Sequence, residues 1–430
     1  MSKSFPLLAG ALSAALLSGA VSAEDTNRTH PGQTGVDRAR TAGNQFNPAI
    51  SVILDGVFYH ASREVEAPAG FDSHDHGHGH DHGHGPEEGF SLREAEITFS
   101  ASIDNYFDGV MTLAIEGNEG IEVEEAYLLT RSLPAGLQIK AGRFLSDIGY
   151  INRQHPHDWQ FVDRPLVSEL LFGEHGLQDT GLQLSWLPST DVYTRFGIEV
   201  LQGEGSIATQ DVHEELEEES GPRLYTAFAK FSPDLGFNHA VMFGASAGLS
   251  SSFRKEVEHH DDDELALWDG KGWFAGVDAV YKHSSGKPFG HGNWVVQAEY
   301  YLREIKADYT EIDTNTDTIT DQFTSRSRQD GFYLQGIYGF APRWNAGLRV
   351  DAVGLTNKSL EADGGDFESF DSSWRYTGQI SFMPTEFSRL RLQVSQLDYD
   401  HDHGGGHHHT PWTVMLQYNV SLGAHGAHQF

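Results

Sequence analysis

The residues best suited to chemistry in this 430-residue chain are histidines, and they come in two styles. In HDHGHGHDHGHG, His74, His76, His78, His80, His82 and His84 alternate with Asp and Gly. In QHPHDW, His155 and His157 flank Pro156, and Asp158 follows. Two more clusters are EVEHHDDDE, with His259 and His260, and HDHGGGHHH, with His401, His403, His407, His408 and His409. DVHEELEEES (211–220) adds an acidic run. There is no Cys, so thiolate sites are excluded. Imidazole with carboxylate points first to Zn2+, then to Cu2+ or Ni2+. Such an ion is expected as a bound or transported species, and no cofactor is required. Gly between His residues leaves the backbone mobile, and ordering it costs about 1–2 kcal/mol per fixed residue. The Gly-rich tracts therefore suit capture and hand-over. Imidazole protonates near pH ~6.5, so capture should fail in acid. Pro156 stiffens the spacing of His155 and His157, which makes QHPHDW the firmer candidate for selectivity.

These residues need elements to hold them. The last strand is the clearest: in PWTVMLQYNVSLG, Trp412, Val414, Leu416, Tyr418, Val420 and Leu422 alternate with Thr413, Gln417, Asn419 and Ser421. Period-two alternation makes a strand with one apolar and one polar face. It recurs in Trp294 to Leu302, Trp344 to Val350, Trp374 to Phe382 and Val192 to Val200. A soluble sandwich would turn the apolar face inward, whereas a membrane barrel turns it to lipid. Three features favour the barrel. The strands match a tilted bilayer crossing of about 9–11 residues. Aromatic residues such as Tyr281, Trp294, Trp344, Trp374 and Trp412 recur near strand ends. Short turns (132–136, 187–191, 232–238, 340–343, 383–388) alternate with long polar segments (61–89, 145–178, 202–221, 250–271, 304–329, 355–371, 400–410).

The expected fold is all-β: a transmembrane antiparallel β-barrel of about 16 strands, porin-like, with an infolded third loop. Residues 1–23 read as a secretory signal peptide ending in Val21-Ser22-Ala23. Residues 24–49 read as a short periplasmic segment, and 50–430 as an outer-membrane barrel. The terminal Phe430, in phase with the lipid-facing row, resembles the signal read by the barrel assembly machinery. The balance of 62 acidic against 29 basic residues, net −33, argues against nucleic acid and favours cations. Mean hydropathy is low, at −0.43, and no apolar run of about 20 residues follows the signal. Besides metal ions, the expected partners are outer-membrane lipid and lipopolysaccharide, and a homotrimer fits a porin of this size.

The His-rich tracts all fall in loops on the expected extracellular side. They can also be read as solvated low-complexity loops, or as acidic loops whose bound cations bridge lipopolysaccharide. The third loop differs, because it carries Trp159, Phe161, Leu166, Leu170, Leu171 and Phe172 and is too apolar to float in water. Folded into the lumen, it would set a constriction from Asp163, Glu169, Glu174 and His175, and acidic groups at a pore favour cations. Asp163 beside Arg164 can equally serve to pin the loop.

GRF, the run NRQHPHDWQFVDRPL and the following FGEHGLQDTGLQLSWLP resemble bacterial outer-membrane proteins described as zinc-regulated receptors or porins, and more distantly phosphate-selective porins. The resemblance implies a role in zinc or other divalent-metal handling, and bears on His155, His157, Asp158, Trp159 and Asp163. The roughly 26 residues between signal and first strand leave no room for the plug of a TonB-dependent receptor. Diffusion is the expected mechanism. The leading function is a porin-like channel for divalent metal with capture on the surface loops. The alternative is a non-conducting surface barrel that binds metal or a partner. No nucleophile, base and orienting group stand together on facing strands, so no enzyme is expected.

Overall fold

The computed structural model describes residues 48–71, 88–116, 120–205, 207–212, 216, 218–259, 264–316, 318–360, 368–400 and 410–423. Sixteen long antiparallel strands close on themselves. They are β1 (Ala49–Ala61), β2 (Gly89–Ser102), β3 (Phe107–Glu116), β4 (Gly120–Thr130), β5 (Leu137–Leu145), β6 (Gln178–Trp186), β7 (Tyr193–Leu201) and β8 (Leu224–Ser232). Then follow β9 (His239–His259), β10 (Glu264–His283), β11 (Trp294–Asp313), β12 (Thr318–Ala341), β13 (Trp344–Val353), β14 (Ser373–Thr385), β15 (Ser388–Asp398) and β16 (Trp412–Gly423). Each pairs with its neighbours in sequence, and β16 returns to β1 in register from Ser51–Gly423 to Ala61–Thr413. Closure leaves no free edge in the barrel wall.

The wall is apolar outside and polar inside. On β16, Trp412, Leu416, Tyr418 and Leu422 are exposed, while Thr413, Gln417 and Ser421 are buried. The same inversion places Leu182, Leu184, Ile198, Leu348, Ile380 and Leu392 outside, and Gln183, Arg195, Glu199, Arg349, Gln379 and Arg391 inside. A sandwich would do the reverse, so the chain is a transmembrane barrel of the porin type. At the short-turn end the exterior carries stacked aromatic pairs, Trp344 on Phe382 at 4.6 Å and Trp186 on Phe196 at 5.9 Å. They form the girdle expected where lipid meets water. No helix among the described residues is long and apolar enough to cross a membrane.

Two segments expected as loops are strand. Residues 250–271 and 304–329 lie largely within β9 to β12, which run 21, 20, 20 and 24 residues. A tilted crossing uses about 9–11 residues. The remainder stands beyond the apolar band as a four-stranded blade. There no lipid demands an apolar face, so alternation fades from the sequence. Pairing continues because the neighbours are equally tall: β10 and β11 stay in register from His283–Trp294 to Glu264–Asp313. Short pieces at Gln210–Asp211 and Lys358–Leu360 pair with the blade's outer strands.

Loop three, residues 146–177 between β5 and β6, folds into the barrel. It contains a single 3-10 turn at Pro156–Asp158 and one short helix, α1 (Leu166–Phe172). Its apolar residues Ile148, Ile151, Trp159, Leu166, Leu171 and Phe172 share one cluster with Phe274, Tyr301, Tyr333 and Val353 of the wall. The lumen thus holds a core of its own, as the apolar content of the loop requires.

The candidate metal centre and its supporting loop

Loop three is held by polar side chains drawn from most of the barrel. The Gly149 amide donates to Ser246 Oγ at 2.9 Å, and the Ile151 amide to Glu299 Oε1 at 2.8 Å. The Val162 amide donates to Gln393 Oε1 at 2.7 Å, and the Leu166 amide to Asp351 Oδ1 at 2.9 Å. Arg303 donates to the Leu171 carbonyl at 2.6 Å. Arg195 pairs with Asp147 at 2.8 Å. The inward-facing charges Arg195, Glu199, Glu299, Arg303, Arg349, Asp351 and Arg375 therefore anchor the loop and do not simply line a water-filled bore.

The constriction residues fare differently from one another. Asp163 pairs with both Arg349, at 2.8 Å, and Arg375, at 2.9 Å. Burial would raise its carboxyl, but the two guanidinium groups outweigh that and hold it well below the usual carboxylate range. It is an anchor. Glu169 lies on α1, and burial pushes it up to about 7 despite Arg375. Glu174 and His175 are exposed on the return limb. None of the four meets the QHPHDW histidines.

Those histidines do come together, and they bring carboxylates with them. His155 Nδ1 lies 3.3 Å from Glu124 Oε2 and 3.5 Å from Glu96 Oε2, and its Nε2 lies 3.2 Å from Glu125 Oε2. His157 Nδ1 lies 3.1 Å from Glu96 Oε2. Asp158 stands 3.6 Å from His157 Nε2. One ligand atom each from Glu96, Glu124 and His155 falls within 4.8 Å of the others. Burial would lower both imidazoles, but Glu96, with Glu124 and Glu125 at His155 and Asp158 at His157, lifts both above the ordinary histidine value. The cluster demands positive charge at its centre.

The local chain explains the arrangement. On β2, Glu94, Glu96 and Thr98 alternate with Ala95, Ile97 and Phe99, so the glutamates face the lumen. Thr98 Oγ1 donates to Glu96 Oε1 at 2.7 Å and leaves Oε2 for the histidines. On β4 the register shifts: Thr112 of β3 pairs with Glu125, while Leu113 pairs with Val123. Glu124 is the extra residue of a bulge, and bulges re-aim side chains. Consecutive Glu124 and Glu125 can thus both reach His155. Pattern reading missed all four glutamates because they sit on strands. The available signals were the Glu94–Glu96 spacing in REAEITF and the doubled acid in EVEE.

His74, His76, His78, His80, His82, His84, His260, His401, His403, His407, His408 and His409 are outside the described residues, as are residues 1–23, expected as a signal peptide, and Phe430. His259 ends β9.

Fold and site define a porin-like membrane barrel with a carboxylate–imidazole centre in its lumen. No family model matches the chain. It is 36% identical over 404 residues to an uncharacterized protein of Aquifex aeolicus (strain VF5), covering 90% of this chain and 80% of that one, and it belongs to the same family. In structure it is similar to the loop L8 deletion mutant of OmpT, an outer membrane protein of Vibrio cholerae, with TM-score 0.53 and 9% identity over 87% of this chain and 99% of that one. The trimer form of OmpT gives TM-score 0.52 and 9% identity at the same coverage. At such identity the likeness concerns the fold.

Proposed function

We propose that this protein is a channel of the bacterial outer membrane that handles divalent metal ions, zinc foremost, by diffusion. The observation that carries the reading is the group formed by Glu96 and Glu124, buried on wall strands β2 and β4, with half-buried His155 of loop three. Carboxylate and imidazole together suit zinc and its neighbours. The His-rich segments 74–84 and 401–409 would collect ions at the mouth. Outer-membrane placement rests on the barrel's apolar exterior and on its likeness to an outer membrane protein. The long-loop end then faces outward and the short turns face the periplasm. A homotrimer belongs to the same reading, since the OmpT neighbour has a trimer form. Nothing in the reading calls for catalysis.

The test is conductance of purified full-length protein in planar bilayers, across a salt gradient, with and without Zn2+. The reading expects a cation-selective channel whose current responds to micromolar zinc. An anion-selective channel, or none, overturns it.

One observation favours a second reading, a non-conducting barrel that binds metal at the surface. Loop three packs an apolar cluster across the lumen and bonds to strands as far apart as β7 and β15. Deleting 74–85 and 401–409 separates the two readings. Unchanged zinc-limited growth with reduced surface metal supports the second.

A further inference from the structure

We propose that Glu96, Glu124 and His155, with His157 beside them, bind a single zinc-class ion, and that this ion ties the QHPHDW segment of loop three to strands β2 and β4. The inference deepens the channel reading, on which the identity of the ion rests.

Geometry comes first. Two ligands about 2.0–2.1 Å from a tetrahedral ion stand about 3.3–3.4 Å apart. The His155 Nδ1 distances, 3.3 Å to Glu124 and 3.5 Å to Glu96, match that separation. His157 Nδ1 lies 3.1 Å from Glu96 Oε2, beside the three-residue group and not within it.

Hydrogen bonding is the second, independent observation. Glu96 and Glu124 are 3% and 7% exposed, and although Glu96 Oε2, Glu124 Oε2 and His155 Nδ1 crowd one another at ion-pair distance, none of the three atoms sits in hydrogen-bonding geometry. Buried polar atoms left in that state are costly. A cation at their centre satisfies all three at once. The other atoms of the same groups are already engaged, Glu96 Oε1 by Thr98 and His155 Nε2 by Glu125. A ligating histidine that gives its second nitrogen to a carboxylate is the usual outer shell of zinc. Glu125 is itself fixed by the Leu145 amide at 3.1 Å.

The third point is connectivity. The ligands come from three separate segments: β2, β4 and loop three. The backbone of the same loop segment is held from elsewhere, by Arg389 at the His157 carbonyl, 2.8 Å, and by Arg391 at the Trp159 carbonyl, 3.0 Å. Both arginines are on β15, beyond β1 and β16 from β2. The segment is therefore a strap across one side of the lumen. One end is fastened by arginine–carbonyl bonds and the other by the ion. Without a cation, the second end presses buried carboxylates together. Ion occupancy then sets how firmly the strap lies across the lumen, so the ion regulates its own passage.

The experiment is zinc binding by competition with a chromophoric chelator on the full-length protein in detergent, paired with trypsin cleavage after Arg153 followed by mass spectrometry. We expect one tight zinc ion per chain. It should persist when 74–85 and 401–409 are deleted, weaken about 100-fold or more in Glu96→Gln and Glu124→Gln, and weaken about 10–100-fold in Glu125→Gln. Cleavage after Arg153 should accelerate on chelation in the parent and stay zinc-independent in Glu124→Gln. A heat-shifted gel band confirms that each variant is a folded barrel, and chelation of the parent repeats the test without mutation. Tight zinc unaffected by both Glu96→Gln and Glu124→Gln, or cleavage indifferent to zinc in the parent, overturns the proposal. A conducting barrel with that result leaves the channel reading standing. A tight ion of the expected kind in a barrel without conductance does the reverse.

Discussion

Asp163 of loop three and Arg349 of β13 form a buried ion pair, N to O 2.8 Å, and Arg349 also donates to the Asp163 carbonyl at 2.9 Å. Arg375 shares the same carboxylate at 2.9 Å. A side chain expected to face a pore is thus the pin that fixes the loop to the wall. Breaking a buried pair from one side leaves the other charge stranded and costs about 3–5 kcal/mol. Asp163→Asn should therefore leave the barrel folded but loosen loop three. The measurement is proteolysis within 146–177 at fixed detergent and salt. Cleavage as slow as in the parent would sink the assignment.

Glu169 supplies a pH dependence. Its ordinary value of 4.5 is raised to about 7, first by burial. The docked loop therefore binds this proton more tightly than the undocked loop does. Its contribution is fully present below about pH 4.5 and is lost as pH rises through about 7. Asp163 works in the opposite sense, but its contribution disappears only in strong acid, since its carboxyl is held below the usual range. Between pH 5 and 8 the protease sensitivity of loop three should climb with pH. Glu169→Gln should flatten that climb. An equal slope in the variant would assign the dependence to another group.

Gly149 lets the loop touch the wall. Its φ is +55, and a Cβ there would lie 2.0 Å from Tyr301 Oη and 2.1 Å from Glu299 Oε2. Neither neighbour can yield easily, because Glu299 already accepts from the Ile151 amide and from Tyr333. Gly149→Ala should lift this part of the loop, with a cost of about 1–3 kcal/mol from strain. Faster amide exchange at 147–152 than in the parent is the expected result. Unchanged exchange would show that the contact is more yielding than the geometry implies.

The barrel was legible because lipid imposes a pattern. Rows such as Trp412 to Leu422 must face outward, and that demand is written in every second residue. The blade was not legible, because residues 250–259 and 304–313 bury a mixture of types, Ser252, Glu256, Val257, Glu304 and Ala307 among them, and are held as strand by their neighbours. His155 and His157 were legible from type and spacing. Their partners were not: Glu96 looks like any lumen-facing strand residue, and Glu124 enters the lumen only through a bulge. The alternation of Leu348, Arg349 and Val350, and of Trp374, Arg375 and Tyr376, turns both arginines inward, but their pairing with Asp163 depends on where a 32-residue loop comes to rest.

The bulge itself can be tested. In β4, Glu124 has no partner on β3, while Val123 and Glu125 pair with the adjacent Leu113 and Thr112. Deleting Glu124 should convert the bulge to a regular ladder without moving any other side chain to the opposite face. That is unusual, since a one-residue deletion inside a strand normally inverts the facing of everything beyond it. Here the deletion removes the inserted residue, so Ile121 and Val123 should stay on the lipid side. The barrel should fold with its heat-shifted gel mobility intact, whereas deletion of Leu128, outside the bulge in the same strand, should not. Zinc affinity should fall in the Glu124 deletion at least as far as in Glu124→Gln, because the bulge and the ligand are lost together. If the Glu124 deletion fails to assemble while Glu124→Gln assembles normally, the bulge is required for folding and not only for aiming a ligand.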